Sequence, residues 1–154
     1  MTRAEKAKSC FLSGYNCAQA VAVAFSDLVD MDEKTVARAV SGFGGGMGRL
    51  REVCGAFSGA VFILSVLYGY EDEKAFEAKK QLYSDIQNFA EQCRNENGSI
   101  ICKELLGLDK DKTCSPTPQK RTQEYYKKRP CAEIVYTCAE QLDEFIKNKN
   151  LSTV

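Results

Sequence analysis

The sequence contains eight cysteines, and these are the side chains whose type and spacing point most directly to chemistry. No two of them form a C-x-x-C pair, so the chain has neither a thioredoxin-type couple nor a zinc-ribbon motif. The cysteine run of ferredoxins is absent as well. The first residues are charged and carry no export signal, which favours thiol or metal chemistry in a cytoplasmic protein over a disulfide framework. Any site must therefore be assembled from cysteines that lie on separate elements.

Four of the cysteines fall at predicted helix starts, where helix geometry favours a thiolate. Asn16 and Ser99 can cap the helices that follow them, and Pro130 suits a first helical position. Unpaired N–H groups and the positive end of the helix dipole lower a thiol pKa from about 8.5 towards neutrality, and the thiolate is both the nucleophile and the metal ligand. The residues predicted to be redox thiols and metal ligands are Cys17, Cys54, Cys102 and Cys131.

The other four cysteines lie where the helix dipole does not favour a thiolate. Cys10 and Cys93 are near predicted helix C-termini, Cys138 is in mid-helix, and Cys114 is in a predicted loop. Cys93 and Cys138 are expected to be buried, because free cysteine often behaves as a small apolar residue. Cys138 shares a helix face with Cys131, so a spare ligand or a resolving thiol is an alternative. The sequence leaves the roles of these four cysteines open.

Composition limits the classes of function. With 154 residues, of which 44% are hydrophobic, the chain has enough apolar side chains for one buried core. Lysine plus arginine equals aspartate plus glutamate, at 21 each, so no net field attracts nucleic acid or an anionic membrane. Histidine is absent, which excludes the usual base of serine and cysteine hydrolases, the usual haem ligand and mixed Cys/His zinc sites.

Helical periodicity runs through almost the whole sequence, so the predicted fold is an all-α bundle in a single domain, residues 1–149, with a short tail at 150–154. An apolar helix at 54–68 is expected at its centre, and this run is too short to span a membrane. Asp30 is predicted to cap a helix that ends at Ser41. The other predicted helices span residues 2–12, 17–29, 71–94, 100–106 and 130–149. On the helix at 71–94, the residues predicted to face the core are Phe76, Tyr83, Ile86, Ala90 and Cys93.

A glycine-rich loop, GFGGGMG at 42–48, precedes the apolar helix. Neither a dinucleotide-binding nor a P-loop glycine pattern fits it, and it joins two helices, so nucleotide binding is not predicted. Two interpretations are open: a turn that needs positive φ and close packing, or bare amides that form an anion-binding nest beside Cys54. Arg49 and Arg51 either add positive charge there or are solvated. Under the second interpretation, the glycines that contact a cofactor are Gly44, Gly45, Gly46, Gly48 and Gly55.

Several segments of the chain together resemble the C_GCAxxG_C_C family, which is described as redox-active. The segments are GYNCAQAV at 14–21, GFGGGMG at 42–48, CGAFSG at 54–59, CKELLG at 102–107 and Cys131. Each segment is weakly specific alone, but their order and spacing are specific together, and the resemblance covers nearly the whole chain. In this resemblance the family's four cysteines correspond to Cys17, Cys54, Cys102 and Cys131, which are the same cysteines that lie at predicted helix starts.

The resemblance implies a redox function without fixing the cofactor. Members of the family are often encoded near transporter genes, and a related module accompanies c-type haem in split-Soret cytochromes, for which an iron-sulfur site has been proposed. This chain departs from the family pattern at several points. It carries four further cysteines, Ala132 follows Cys131 where many members have proline, and the C-x-x-C-H motif of a c-type cytochrome is missing.

Three functions follow as hypotheses. In the first, the helix-start cysteines bind an iron-sulfur cluster for electron transfer or sensing. In the second, the protein is a metal-free thiol/disulfide oxidoreductase. In the third, it is a structural or zinc-holding binding protein associated with a transporter. The expected partners are an unidentified redox protein, with a transporter as one candidate, and a second copy of the chain, because the apolar faces are compatible with a homodimer.

Overall fold

The computed structural model describes residues 1–108 and 115–152. Within these ranges it is an all-α bundle without a β-strand, which confirms the predicted fold class. None of the helices described is long and apolar enough to cross a lipid bilayer. The helices are α1 Arg3–Leu12, α2 Cys17–Val23, α3 Glu33–Ala39, α4 Gly44–Met47, α5 Gly55–Tyr68, α6 Phe76–Asn97, α7 Cys102–Leu105, α8 Gln123–Lys128 and α9 Cys131–Ser152, with 3-10 turns at Ser26–Leu28 and Ser41–Phe43.

Two helices share the centre of the bundle. α2 and α5 pack along each other, and α1, α6 and α9 lie around them. The alanines and valines of α2 are fully buried, and a Cβ added at Gly59 of α5 would lie 2.5 Å from the carbonyl oxygen of Ala18. Glycine at this position therefore permits the close approach of the two helices. The sequence predicted a central α5, but it did not identify α2 as an equally buried partner.

Several helix ends differ from the prediction. The second predicted helix ends early, at Val23, and a 3-10 turn follows it. Asp32 caps α3 by accepting a 2.8 Å hydrogen bond from the Thr35 N–H. The predicted cap, Asp30, has a φ of 52°, which is outside the extended region that a cap residue adopts. At the other end of the chain, α9 continues to Ser152, beyond its predicted end.

The long helix α6 buries Ala90 and Cys93 as predicted, but its N-terminal half buries other positions than the predicted ones. It begins at Phe76, and Phe76 and Tyr83 are 71% and 51% exposed, so both were wrongly assigned to the core. Asp85 lies on the buried face, where its carboxylate pairs with the Lys149 ammonium of α9 at 2.7 Å. This pairing compensates for the removal of the carboxylate from water. The buried positions of α6 are Leu82, Asp85, Phe89, Ala90 and Cys93.

Candidate functional site

The four cysteines at the helix starts line one small cavity, of about 70 Å³. Cys17, Cys102 and Cys131 are the first residues of α2, α7 and α9, and Cys54 directly precedes α5. Cys54 and Cys102 are 8% and 9% exposed, whereas Cys17 and Cys131 are half-buried. The structure thus brings together the cysteines that were predicted to form the site, each at the N-terminal end of a helix.

A capping box fixes Cys17 at the start of α2. The Asn16 side chain accepts a 2.9 Å hydrogen bond from the Gln19 N–H, and the Gln19 side chain accepts a 3.1 Å bond from the Asn16 N–H. The Asn16 amide also donates to the Ser41 carbonyl at 3.0 Å. The predicted cap is confirmed, and it also connects α2 to the segment that leads into the glycine loop.

Replacing Asn16 with alanine is expected to lower the free energy of unfolding by about 1 kcal/mol, because the capping bonds are lost. Asp32→Ala removes the cap of α3 and is expected to have a similar cost, but away from the cavity. Chemical denaturation measures both changes. Only Asn16→Ala should also change the alkylation rate of Cys17, followed by mass spectrometry. An equal change in that rate in Asp32→Ala would contradict the role given to Asn16.

Cys54 and Cys102 are held side by side by a short antiparallel pairing. Val53 and Ile101 form an isolated β-bridge, and next to it the Cys54 N–H donates to the Ile100 carbonyl at 2.7 Å. This pairing was not predicted from the sequence. The available signal was a β-branched residue directly before each of the two cysteines, but a single residue does not identify its partner on a distant segment.

The glycine loop contributes only part of the cavity wall. Gly45, Gly46 and Gly55 line the cavity, as expected for glycines that contact a bound group. Gly44 and Gly48, which belong to the same predicted set, lie outside this lining. A Cβ at Gly44 would meet the cap residue of α2, and a Cβ at Gly48 would meet nothing within 4 Å.

Gly46 is the loop residue that packs most tightly against the site. Its φ is 70°, and a Cβ there would lie 2.6 Å from Cys102 Cβ and 2.8 Å from Arg51 Cα. Both the conformation and the space therefore require glycine. The turn with positive φ is confirmed, although its closest neighbour is Cys102 and not Cys54. Strained non-glycine residues of the kind found at functional sites follow it, with positive φ at Met47, Arg49 and Arg51.

A buried arginine contacts one of the cysteines. Arg51 is only 9% exposed, lines the cavity, and donates a 3.6 Å hydrogen bond from Nη1 to Cys102 Sγ. A positive charge beside a sulfur favours the thiolate. Of the two interpretations given for Arg51, added positive charge is therefore confirmed and solvation is wrong.

Basic and aromatic side chains reach the cavity from residues 121–129, for which no role was predicted from the sequence. Arg121 donates to the carbonyls of Phe11 and Tyr15 at 3.0 and 3.1 Å, and its guanidinium lies 4.4 Å from the Phe11 ring centroid. Arg121 and Tyr125 both line the cavity. Together with Arg129, they repeat at intervals of about one helical turn, and this spacing was the signal in the sequence that could have identified them.

The four thiols differ in acidity. Hydrogen bonding from Cys17, together with nearby arginines, lowers the pKa of Cys131 to about 7 in spite of burial. The same hydrogen bond and burial raise the pKa of Cys17 well above its usual range. Burial raises the pKa of Cys54 to about 11, and it raises the pKa of Cys102 in spite of Arg51. A lowered pKa at every helix start was therefore a wrong expectation except at Cys131, because the hydrogen bond to Cys131 outweighs the helix end at Cys17, and desolvation does so at Cys54 and Cys102.

In the metal-free protein, the alkylation rate of Cys131 by iodoacetamide is expected to rise with pH and to reach half its plateau at about pH 7. Below this pH the sulfur is a protonated and unreactive thiol, and above it the thiolate predominates. Cys17→Ala removes the hydrogen bond that stabilises the thiolate, so the midpoint should move to higher pH. Cys10→Ala changes a thiol outside the cavity and should leave the midpoint unchanged. A wild-type midpoint at the usual value of about 8.5 would contradict the stabilisation.

The three other cysteines that the structure describes do not line the cavity. Cys93 and Cys138 are 3% and 2% exposed, which confirms their predicted burial. Hydrogen bonding with Cys93, together with burial, raises the pKa of Cys138 well above its usual range. Cys138 does not line the cavity, so the structure gives it no place as a spare ligand. Cys10 is half-buried in α1, and Cys114 lies outside the described residues.

The arrangement of the donor side chains limits which metal groups they could hold. Over residues 1–108 and 115–152, no group of three or more cysteine, aspartate or glutamate side chains is arranged to hold one ion. The ligands of one ion converge on a point, whereas the thiolates of an iron-sulfur cluster bind different iron atoms and surround a volume. The four cavity cysteines line one volume of about 70 Å³. A Cβ at Gly55 would lie 3.2 Å from Cys17 Cβ, so glycine at this position permits the close approach of α5 to Cys17.

The chain matches a known family over most of its length. Residues 15–145 match the family model described as "Putative redox-active protein (C_GCAxxG_C_C)". This chain belongs to the C_GCAxxG_C_C family. The matched region of this C_GCAxxG_C_C protein includes every cysteine of the cavity, from Cys17 in α2 to Cys131 in α9. The family description makes the protein redox-active and names no cofactor. The chain matches no curated protein and no solved structure.

Proposed function

We propose that the cavity cysteines bind an iron-sulfur cluster, and that this cluster is the redox centre with which the protein transfers or senses electrons. The proposal is carried by one observation: cysteines from the N-terminal ends of four helices line a single small cavity. When bound, such a cluster supplies reversible one-electron transfer. The residues that would hold it are Cys17, Cys54, Cys102 and Cys131.

The surroundings of the cavity support an anionic group. Four thiolates give a cluster a net negative charge, and the positive ends of the helices offset part of it. Arg51 donates to Cys102 Sγ from a buried position, and Arg121 lines the same cavity. Hydrogen bonds of this kind orient metal ligands and tune the centre that they hold. The helix ends and the two arginines therefore support the binding of an anionic group in the cavity.

A metal-free thiol/disulfide oxidoreductase is a second candidate, which one observation favours. The Cys17 thiol hydrogen-bonds to Cys131, and this contact lowers the pKa of Cys131. In this function Cys17 and Cys131 form a disulfide, and an acceptor disulfide takes up the two electrons and two protons and becomes a dithiol. Cys54 and Cys102 would then have no redox role. We prefer the cluster because it gives all the cavity cysteines the same function.

Spectra of protein purified without oxygen, before and after reconstitution with iron and sulfide, test the proposal. The expected result is a visible absorption that bleaches on reduction and an EPR signal in one oxidation state. A colourless protein without bound iron would overturn the cluster. The second candidate is tested by counting free thiols before and after mild oxidation: a loss of two thiols supports it, and an unchanged number rejects it.

A zinc-holding role is not proposed, because no three donors in the described parts of the chain converge on one ion. Association with a transporter, a homodimer and a cytoplasmic location stay predictions from the sequence.

A further inference from the structure

A surface groove lies directly beside the cysteine cavity. Its volume is about 490 Å³, and Leu106 and Tyr125 line both the groove and the cavity. The side chains of these two residues therefore form the layer between the cysteines and the groove. The groove has an apolar floor to which Leu108 also contributes, and its basic residues are Lys120, Lys128 and Arg129.

Positive charge is concentrated around this groove. Residues 115–131 contain five lysines and arginines and one acidic residue, Glu124, although the chain as a whole carries 21 basic and 21 acidic residues. Lys120, Lys127 and Lys128 are exposed. Within residues 1–108 and 115–152, none of these three lysines forms an ion pair with a carboxylate. Their charge is therefore available to a partner.

We propose that the groove is the docking surface for an acidic electron-transfer protein, which exchanges electrons with the cavity cysteines or the group that they hold. The proposal rests on the redox function proposed above and names the kind of partner that uses it. An apolar floor within a charged rim is the usual anatomy of a protein interface. Exposed charges on such a rim steer a partner of opposite charge and accelerate association.

The geometry favours a protein over a small anion as the occupant. Small-molecule sites are concave and place a few polar groups so that they converge on the ligand. Here Lys120 and Lys128 are exposed, and the Arg129 guanidinium already donates to Gln119 at 2.9 Å. Only the side chains of Leu106 and Tyr125 would separate the cavity from a protein that covers the groove. Such a short separation suits electron exchange.

The test compares the wild type with two charge-reversed variants. Lys120→Glu/Lys128→Glu changes the groove, and Lys34→Glu/Lys80→Glu makes the same change in net charge at exposed lysines of α3 and α6, outside the groove. The probes are an acidic ferredoxin and a basic cytochrome c. Electron transfer with each probe is followed by stopped flow at low and high ionic strength. Binding of ferredoxin to the protein as purified is also measured, so that a readout exists whether or not a cluster is present.

At low ionic strength, the groove variant is expected to have an about tenfold lower rate constant of electron transfer with ferredoxin than the wild type. Its affinity for ferredoxin should also be about tenfold lower. The difference should disappear at about 1 M salt, where the Debye length is about 3 Å. Equal effects of the two variants, or a wild type that binds ferredoxin no better than cytochrome c, would overturn the proposal. Saturable inhibition by pyrophosphate at constant ionic strength would identify a small-anion site and would also overturn it. Loss of electron transfer in all three proteins, with the binding difference retained, would count against the redox function alone.

Discussion

Serine in place of any one of the cavity cysteines is expected to remove the iron-sulfur cluster. In the proposed site each thiolate would be a direct ligand, so the loss of iron affinity should exceed the roughly 10–100-fold loss that follows removal of an outer hydrogen-bond partner. Iron and sulfide content, together with the visible spectrum, measure the effect in protein purified without oxygen. Circular dichroism establishes that each variant is folded. The four variants are Cys17→Ser, Cys54→Ser, Cys102→Ser and Cys131→Ser.

Buried cysteines outside the cavity provide the matched controls. Cys93→Ser and Cys138→Ser make the same chemical change at 3% and 2% exposed positions, and both variants should retain the cluster. The same experiment separates the two candidate functions. If Cys54→Ser retains the full redox response while Cys17→Ser and Cys131→Ser lose it, the thiol pair is correct and the cluster is not.

Gly46→Ala is expected to damage the site and to destabilise the fold by about 2–4 kcal/mol, from backbone strain plus overpacking. The new Cβ would need a φ near 70° and would lie 2.6 Å from Cys102 Cβ and 2.8 Å from Arg51 Cα. Because the Arg51 contact is with backbone, it cannot be relieved by a change of rotamer. Either the loop or Cys102 must move. Chemical denaturation and iron content measure the two consequences.

Gly48→Ala is the control for strain alone. Gly48 also has a positive φ, of 56°, but a Cβ there would meet nothing within 4 Å. Its cost should be about 1–2 kcal/mol, the penalty of a left-handed conformation, and iron binding should be unchanged. Equal losses of iron in Gly46→Ala and Gly48→Ala would show that loop strain, and not contact with Cys102, governs the site.

The parts of the structure that depend on local signals could be predicted from the sequence. Asn16 was identified as a cap because asparagine is a preferred cap residue and an apolar helical stripe follows it, a signal that depends only on neighbouring residues. The same type of rule failed at Asp30, because Asp32 is an equally suitable acceptor two positions later. Only the backbone decides between them, and a φ of 52° excludes Asp30.

Features that depend on contacts between distant segments could not be predicted. The pairing of Val53 with Ile101 aligns two cysteines, but neither segment alternates long enough to indicate a strand. The burial of Arg51 was missed because arginine is mostly exposed unless a partner compensates for its charge. The position of a cysteine at a helix start was also insufficient to predict the pKa of its thiol. The depth of burial at Cys54 depends on the packing of the whole bundle, and it raises the pKa there to about 11.

Iron and acid-labile sulfide, measured in protein purified without oxygen, show whether the cavity cysteines hold a cluster. We expect both in stoichiometric amounts, with about two to four iron atoms per chain and a similar amount of sulfide. Protein that contains neither iron nor sulfide, yet loses and regains two thiols through oxidation and reduction, would contradict the cluster and leave the thiol pair as the redox centre.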